Sequence, residues 1–60
     1  MQTFEIAPHY DAWMQGDRLG TLIKTSMAKE GPHKGKAIAH LKMLRSGRTL
    51  RVLLDDCTLR

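Results

Sequence analysis

Apolar and polar residues alternate most regularly between residues 39 and 54, on both sides of Ser46 and Gly47. Successive side chains of a β-strand point to opposite faces of a sheet, so this alternation predicts two strands that each bury one face. A two-residue turn at Ser46-Gly47 would join them as a β-hairpin. In that register one face is wholly apolar and carries Ala39, Leu41, Met43, Leu50, Val52 and Leu54.

The other face of this hairpin is mainly polar and basic. The same register places Lys42 opposite Arg51 and His40 opposite Leu53. Like charges directly opposite each other destabilise a sheet by up to about 1 kcal/mol. We therefore expect this face either to meet an anion or to stay solvated, where salt screens the repulsion. Leu44 and Leu53 also fall on it, and they indicate a homodimer interface or a covered sheet.

Shorter patterns predict the elements of the first half of the chain. Residues 3–7 alternate polar and apolar and predict a short strand that ends at Pro8. Residues 8–14 are too few for an independent helix and predict a loop or a single helical turn. Residues 21–26 are rich in β-branched and apolar types and predict a strand, with either a bulge after Gly20 or both faces partly covered.

The remaining segments predict connections. Residues 27–36 are polar, contain two glycines and a proline, and predict the longest loop of the chain. Asp55 and Asp56 end the last long strand and predict a turn or a single 3₁₀ turn. Beyond them, Leu59 is expected to return to the core.

Charge is distributed unevenly along the 60 residues, which are expected to form a single domain over residues 1–60. The chain carries a net charge of +4, made up of −3 over residues 1–17, +8 over residues 18–51 and −1 over residues 52–60. A basic middle between acidic ends indicates a surface that attracts anions, because binding depends on where charge clusters.

Several classes of chemistry lack a signature in the sequence. Cys57 is the only cysteine, so no internal disulfide can form, and the histidines and cysteine do not have metal-ligand spacing. No catalytic, cofactor or phosphate-loop motif is present. The first residues do not resemble a signal peptide, and no apolar run is long enough to cross a membrane. We therefore expect a cytoplasmic, non-enzymatic protein without metal or cofactor.

The order of these elements resembles the SH3-like barrel. Five short strands, a long loop after the first main strand, a tight hairpin and a one-turn 3₁₀ helix before the last strand are the features that carry the resemblance. It implies a small all-β, five-stranded barrel in which residues 59–60 pair with residues 3–7. Peptide-binding SH3 domains need several exposed aromatic residues in a groove, and this chain has only Phe4, Tyr10 and Trp13.

Two short motifs also resemble those of small proteins carried by bacteriophages and plasmids. They are the turn W-x-x-G-D-R-x-G, which begins at Trp13, and the strand pair S-G-R-T-x-R-V, which begins at Ser46. The resemblance covers about residues 10–59 and implies a mobile-element origin without implying an activity. Plasmid-type dihydrofolate reductases share the barrel, but their Val-Gln-Ile-Tyr stretch is absent.

The leading functional hypothesis is contact with a nucleic-acid backbone, either DNA or RNA. Lys and Arg neutralise phosphates and release counterions, so such binding weakens steeply with salt. The candidate residues belong to the basic face and its hairpin tip, namely Lys24, His40, Lys42, Arg45, Arg48 and Arg51. Lysines in the long loop could extend this surface.

Two other interpretations stay open. Tyr10 and Trp13 could form an aromatic patch for a protein partner, or the basic face could dock on an acidic protein. Alternatively, Trp13 could simply cap an open end of the barrel. A third possibility is an enzyme whose site exists only between several subunits.

Overall fold

The computed structural model describes residues 2–60 and contains one antiparallel sheet of five strands. Its strands are β1 (Thr3–Glu5), β2 (Leu19–Met27), β3 (Ala37–Met43), β4 (Thr49–Leu53) and β5 (Thr58–Leu59). The helical pieces are α1 (Asp11–Met14) and a 3₁₀ turn (Leu54–Asp56). The strand order is β4-β3-β2-β1-β5, so the last strand returns to the first. The prediction of an all-β protein is confirmed.

The short elements agree with the sequence pattern in kind. α1 is a single helical turn, the 3₁₀ turn includes Asp55 and Asp56, and β5 pairs with β1 by placing Leu59 opposite Phe4. The long loop occupies residues 28–36 and follows β2. The expectation that Leu59 returns to the core is wrong, because 56% of its surface stays exposed on this edge strand.

Strand β2 is longer than predicted and contains an irregularity. Its pairing with β3 shifts between Leu22 and Lys24, which leaves Ile23 as an extra residue and places the bulge beyond the position expected after Gly20. Gly20 serves a different purpose. A Cβ at this position would lie 2.8 Å from the sulfur of Met43 and 3.1 Å from the carbonyl oxygen of Lys42. A glycine therefore fits this position of β2, where the Met43 side chain and the backbone of the paired strand β3 lie close.

The hairpin of β3 and β4 forms, but its register differs from the prediction by two residues. Lys42 lies opposite Thr49, and His40 lies opposite Arg51. The predicted pair of Lys42 with Arg51 is therefore wrong. A shift by two residues keeps every side chain on its predicted face, since the period of a strand is two, and changes only its partners.

The turn explains this shift. The Met43 N–H donates to the Arg48 carbonyl oxygen (2.8 Å), so the turn contains four residues, 44–47, instead of two. The Leu44 N–H donates to the carbonyl oxygen of Leu19 (2.9 Å) and so stays attached to β2. A hydrogen bond from the Gly47 N–H to the Met43 carbonyl oxygen (3.0 Å) closes the turn. Gly47 has φ of +77°, a conformation that favours glycine.

The core lies on the face of the hairpin that alternation predicts to be apolar. The buried apolar side chains are Ile6, Ala39, Leu41, Met43 and Val52. Half-buried neighbours from other elements pack against them, among them Phe4, Tyr10, Trp13, Leu50 and Leu54. The opposite face of β2, β3 and β4 consequently remains available for solvent or a ligand. None of the helices in residues 2–60 is long and apolar enough to cross a membrane.

Candidate functional site

Three basic or titratable side chains form a row across the middle of the sheet. Lys24 on β2 lies opposite His40 on β3, and His40 lies opposite Arg51 on β4. Residues directly opposite each other point to the same face, and neighbouring strands lie about 4.8 Å apart, so the row extends over roughly 10 Å. Lys24 and Arg51 are exposed and His40 is half-buried. We call Lys24, His40 and Arg51 the basic row.

Two neighbours on the same face modify this row. The Ser26 hydroxyl and the His40 Nε2 share a hydrogen bond of 2.7 Å, which holds the imidazole against β2. Lys42 is exposed and lies two residues from His40 along β3, about 6.6 Å further along the strand. The sheet therefore presents three exposed cations, Lys24, Lys42 and Arg51, around a fixed histidine.

The loop of residues 28–36 converts one side of this face into a groove. Its base is closed by hydrogen bonds from the Ala28 N–H to the Lys36 carbonyl oxygen (3.0 Å) and from the Gly35 N–H to the Ala28 carbonyl oxygen (2.9 Å). The groove between the loop and the sheet has a volume of about 710 Å³. It is lined by the basic row and by Ser26, Met27, Ala28, Lys29, Glu30, His33 and Ile38. We call this space the loop groove.

The cations of this face keep their charge available for a ligand. The ion pairs among residues 2–60 join Arg48 to Asp17 (3.0 Å), Arg60 to Glu5 and His9 to Asp56. Within the same part of the chain, none of them includes Lys24, Lys42 or Arg51. An anion at this face would therefore not have to displace an existing ion pair.

Arg48 does not belong to this surface. It has the parity of Leu50 and Val52 on β4, so its side chain leaves on the core side and reaches the end of the sheet. There its Nη2 donates to Asp17 Oδ2 (3.0 Å) and to Gln15 Oε1 (3.3 Å). Hydrogen bonds from Arg48 and then from Ser46 hold the pKa of the Asp17 carboxyl below its usual value. Arg48 is thus engaged in the fold.

Arg45 is also separated from the basic row. Its guanidinium lies over Gly16, where an added Cβ would fall 2.0 Å from Nη1. Together with Arg18, Leu19 and Leu44 it lines a second groove of about 390 Å³ at the hairpin turn. The six predicted nucleic-acid residues therefore divide into two groups. Lys24, His40, Lys42 and Arg51 lie together on the sheet, whereas Arg45 and Arg48 lie at its end.

The two aromatic residues predicted as a partner surface contact the fold extensively. The Tyr10 hydroxyl donates to Asp56 Oδ2 (2.9 Å) and accepts from the Leu53 N–H (3.1 Å), and burial raises the pKa of the phenol. Trp13 packs against the core, and the guanidinium carbon of Arg18 lies 4.4 Å from its ring centroid. Both side chains are half-buried, so each has a structural role and keeps part of its surface exposed.

Residues suited to other chemistry are not grouped. Burial and then Asp56 raise the pKa of the Cys57 thiol, which donates weakly to the Leu53 carbonyl oxygen (3.4 Å) and stays protonated at neutral pH. Residues 2–60 contain no cluster of three or more histidine, cysteine or acidic side chains that could hold a metal ion.

Sequence reasoning did not identify the loop groove. Ser26, His33 and Ile38 were not among its candidate residues, because the fold of residues 28–36 over the sheet leaves no periodic pattern. The available signal was the charge of the loop lysines, which suggested an extended basic surface. Comparison of the chain with protein-family models, curated proteins and solved structures finds no match.

Proposed function

We propose that the protein binds the phosphate backbone of a nucleic acid through the basic row and Lys42, as a non-enzymatic accessory protein of a mobile element. The observation that carries the proposal is the register of β2, β3 and β4, which lines up Lys24, His40 and Arg51 on one exposed face. A phosphate would convert the mutual repulsion of these side chains into attraction.

Backbone binding of this kind has a defined salt dependence. Each neutralised phosphate contributes about −0.7 to the log–log salt slope for a single strand and about −0.9 for a duplex. Three cations, Lys24, Lys42 and Arg51, would weaken binding by roughly 20- to 40-fold between about 50 and 200 mM salt. Lysine and arginine contacts to phosphates carry no sequence information, so binding to DNA or RNA is expected to be sequence-independent.

We also propose that the sheet closes into an SH3-like barrel and that the protein works in the cytoplasm. The strand order β4-β3-β2-β1-β5 and the return of β5 to β1 support the barrel, since both are expected of that fold. The mobile-element origin rests on the resemblance of the two motifs around Asp17 and Arg48.

The second candidate is a protein-interaction module that modulates a host protein. One observation favours it, namely the second groove, where Leu19 (39% exposed) and Leu44 (58% exposed) lie between Arg18 and Arg45. Apolar side chains between two guanidinium groups fit an acidic partner with an apolar anchor. The basic row could dock on an acidic protein by the same charge complementarity.

Two variants, each with two charge reversals, test whether the basic row binds nucleic acid. Lys24→Glu/Arg51→Glu alters the basic row, and Lys34→Glu/Lys36→Glu makes the same change in net charge in the exposed loop outside it. The row variant should bind a labelled DNA and RNA pool at least tenfold more weakly and with a salt slope smaller by about two contacts. The loop variant should keep most of the affinity. Absent binding at low salt, or equal losses in the two variants, would contradict the proposal.

A further inference from the structure

We infer that the loop groove selects single-stranded over double-stranded nucleic acid by seating an unpaired nucleotide between residues 28–36 and the outer face of the sheet. The inference rests on the proposed function, because it takes the basic row as the place where the phosphate lies. It adds a substrate class, since phosphate contacts alone do not distinguish one strand from two.

The lining of the loop groove has the two parts that a nucleotide needs. Lys24 and Arg51 supply positive charge along the sheet side. Ile38, between them in the next register row, is half-buried and supplies an apolar floor, and Met27 is a further apolar residue of the lining. A volume of about 710 Å³ is in the range of pockets that hold a small organic ligand.

Planar side chains are present as well. His40 is held by Ser26 on the sheet side of the groove, and His33 lines the groove from the loop. Histidine rings and guanidinium planes can stack on an unpaired base, as aromatic rings do. The strands themselves carry no exposed aromatic residue among residues 2–60, so His33, His40 and Arg51 are the groups available for stacking in this groove.

The loop groove continues into a smaller groove. Both are lined by His33, Ile38 and Arg51, and the smaller one, of about 220 Å³, ends at Tyr10. A strand that enters beside Lys24 can therefore pass Arg51 and leave toward Tyr10, which gives a track longer than one nucleotide. Single-strand binding grooves combine such a charged track with stacking positions.

Shape and charge together exclude a duplex from this track. The bases of a duplex are stacked inside a stiff cylinder, so none of them can reach Ile38 below the loop wall without unpairing. Glu30 lies on that wall and repels phosphates, which favours a backbone along the basic row and a base toward the loop. A duplex could contact the exposed Lys24, Lys42 and Arg51 through its backbone, but it could not seat a base in the groove.

The test compares three ligands of the same length and sequence at about 50 mM salt, namely a labelled single strand of about ten nucleotides, its duplex and an abasic single strand. The intact single strand should bind at least tenfold more tightly than the other two. His33→Ala should weaken single-strand binding by roughly five- to 100-fold, the effect of losing one stacked base, and leave duplex binding unchanged. Lys34→Ala is the control, because it truncates the neighbouring exposed side chain of the same loop, which lines neither groove.

The outcomes separate this inference from the proposed function. Equal binding of single strand and duplex, or an unchanged affinity in His33→Ala, would overturn the loop groove as the site while salt-dependent backbone binding stands. Failure of all three ligands to bind would overturn both. His33 is an exposed residue of a loop and its truncation removes no buried side chain, so loss of folding does not confuse the result.

Discussion

Asp17 is the one charged residue that is buried among residues 2–60, with 3% of its surface exposed. It belongs to the W-x-x-G-D-R-x-G turn, and its partners Arg48 and Ser46 belong to the S-G-R-T-x-R-V strand pair. The two motifs that carry the resemblance are therefore joined by one ion pair. A buried carboxylate needs such partners, because an unpaired buried charge is strongly unfavourable.

This ion pair makes stability depend on pH, and the sign follows from the lowered pKa of Asp17. A carboxyl whose folded pKa lies below its ordinary value of 3.8 stabilises the fold above that value and loses this contribution as the pH falls through the folded pKa. We predict that the melting temperature of Asp17→Asn is lower than that of the native protein at neutral pH. The difference should shrink in acid.

Thermal unfolding followed by circular dichroism between neutral pH and the acid limit of solubility measures this difference. Asp55→Asn is the control, since it makes the same change at an exposed carboxylate of the 3₁₀ turn that takes part in no ion pair among residues 2–60. The prediction is wrong if Asp17→Asn and Asp55→Asn show the same acid dependence as the native chain.

The sequence pattern could predict which residues share the outer face of the sheet, but it could not predict that Arg48 pairs with Asp17. Alternation puts His40, Lys42 and Arg51 on one face, and the structure confirms it. Arg48 belongs to the same basic segment, yet its partner Asp17 is 31 residues away in sequence. Such a pairing depends on the tertiary fold, which no local pattern encodes.

In the hairpin of β3 and β4, the local sequence determines the strands, whereas a contact with a distant residue determines their register. The strands of the hairpin follow from alternation, whereas their register depends on the hydrogen bond from Leu44 to Leu19, a contact between two separate elements. The dipeptide Ser46-Gly47 correctly locates the turn. Its length could not be deduced, because a two-residue and a four-residue connection both keep the apolar face intact.

Gly47 is the position in the hairpin turn where we expect a substitution to reduce stability. Its φ of +77° strains any residue with a Cβ, while no heavy atom lies within 4 Å of an added Cβ, so only backbone strain is introduced. Gly47→Ala should lower the free energy of unfolding by about 1 kcal/mol. Gly47→Asn should recover part of this loss, because asparagine tolerates positive φ better than alanine.

Urea unfolding of the two variants measures the effect. A stability of Gly47→Ala equal to that of the native protein would mean that residue 47 does not need positive φ and that the turn adopts a different conformation. Nucleic-acid affinity serves as the internal control, since Gly47 lies at the far end of the hairpin from the loop groove and its substitution should leave affinity unchanged.

The whole molecule places its proposed binding face and its core on opposite sides of the same three strands. Met43, Leu41 and Ala39 are buried on one side of β3, and His40 and Lys42 lie between them on the other. The loop after β2 then covers part of the outer side. The homodimer stays a prediction; of the two leucines that indicate it, Leu44 is 58% exposed at the hairpin turn and Leu53 is half-buried.

A core of so few buried side chains leaves stability sensitive to each of them. Leu41 has no exposed surface and lies in register between Leu22 and Leu50. Leu41→Ala should cost about 2–5 kcal/mol, a large part of the roughly 3–9 kcal/mol expected for a domain of this size. Ile23→Ala removes a similar side chain from the bulge, where 54% of it is exposed, and should change stability by less than about 1 kcal/mol.

Because the basic row exists only on the folded sheet, a ligand that binds it should stabilise the folded protein against unfolding. A single-stranded oligonucleotide at about 100 times its dissociation constant should add about 2.7 kcal/mol to the unfolding free energy of either variant. Urea melts of Leu41→Ala with and without the oligonucleotide therefore test the arrangement as a whole. A ligand that binds the native protein but leaves the midpoint of Leu41→Ala unchanged would show that binding does not require the folded sheet.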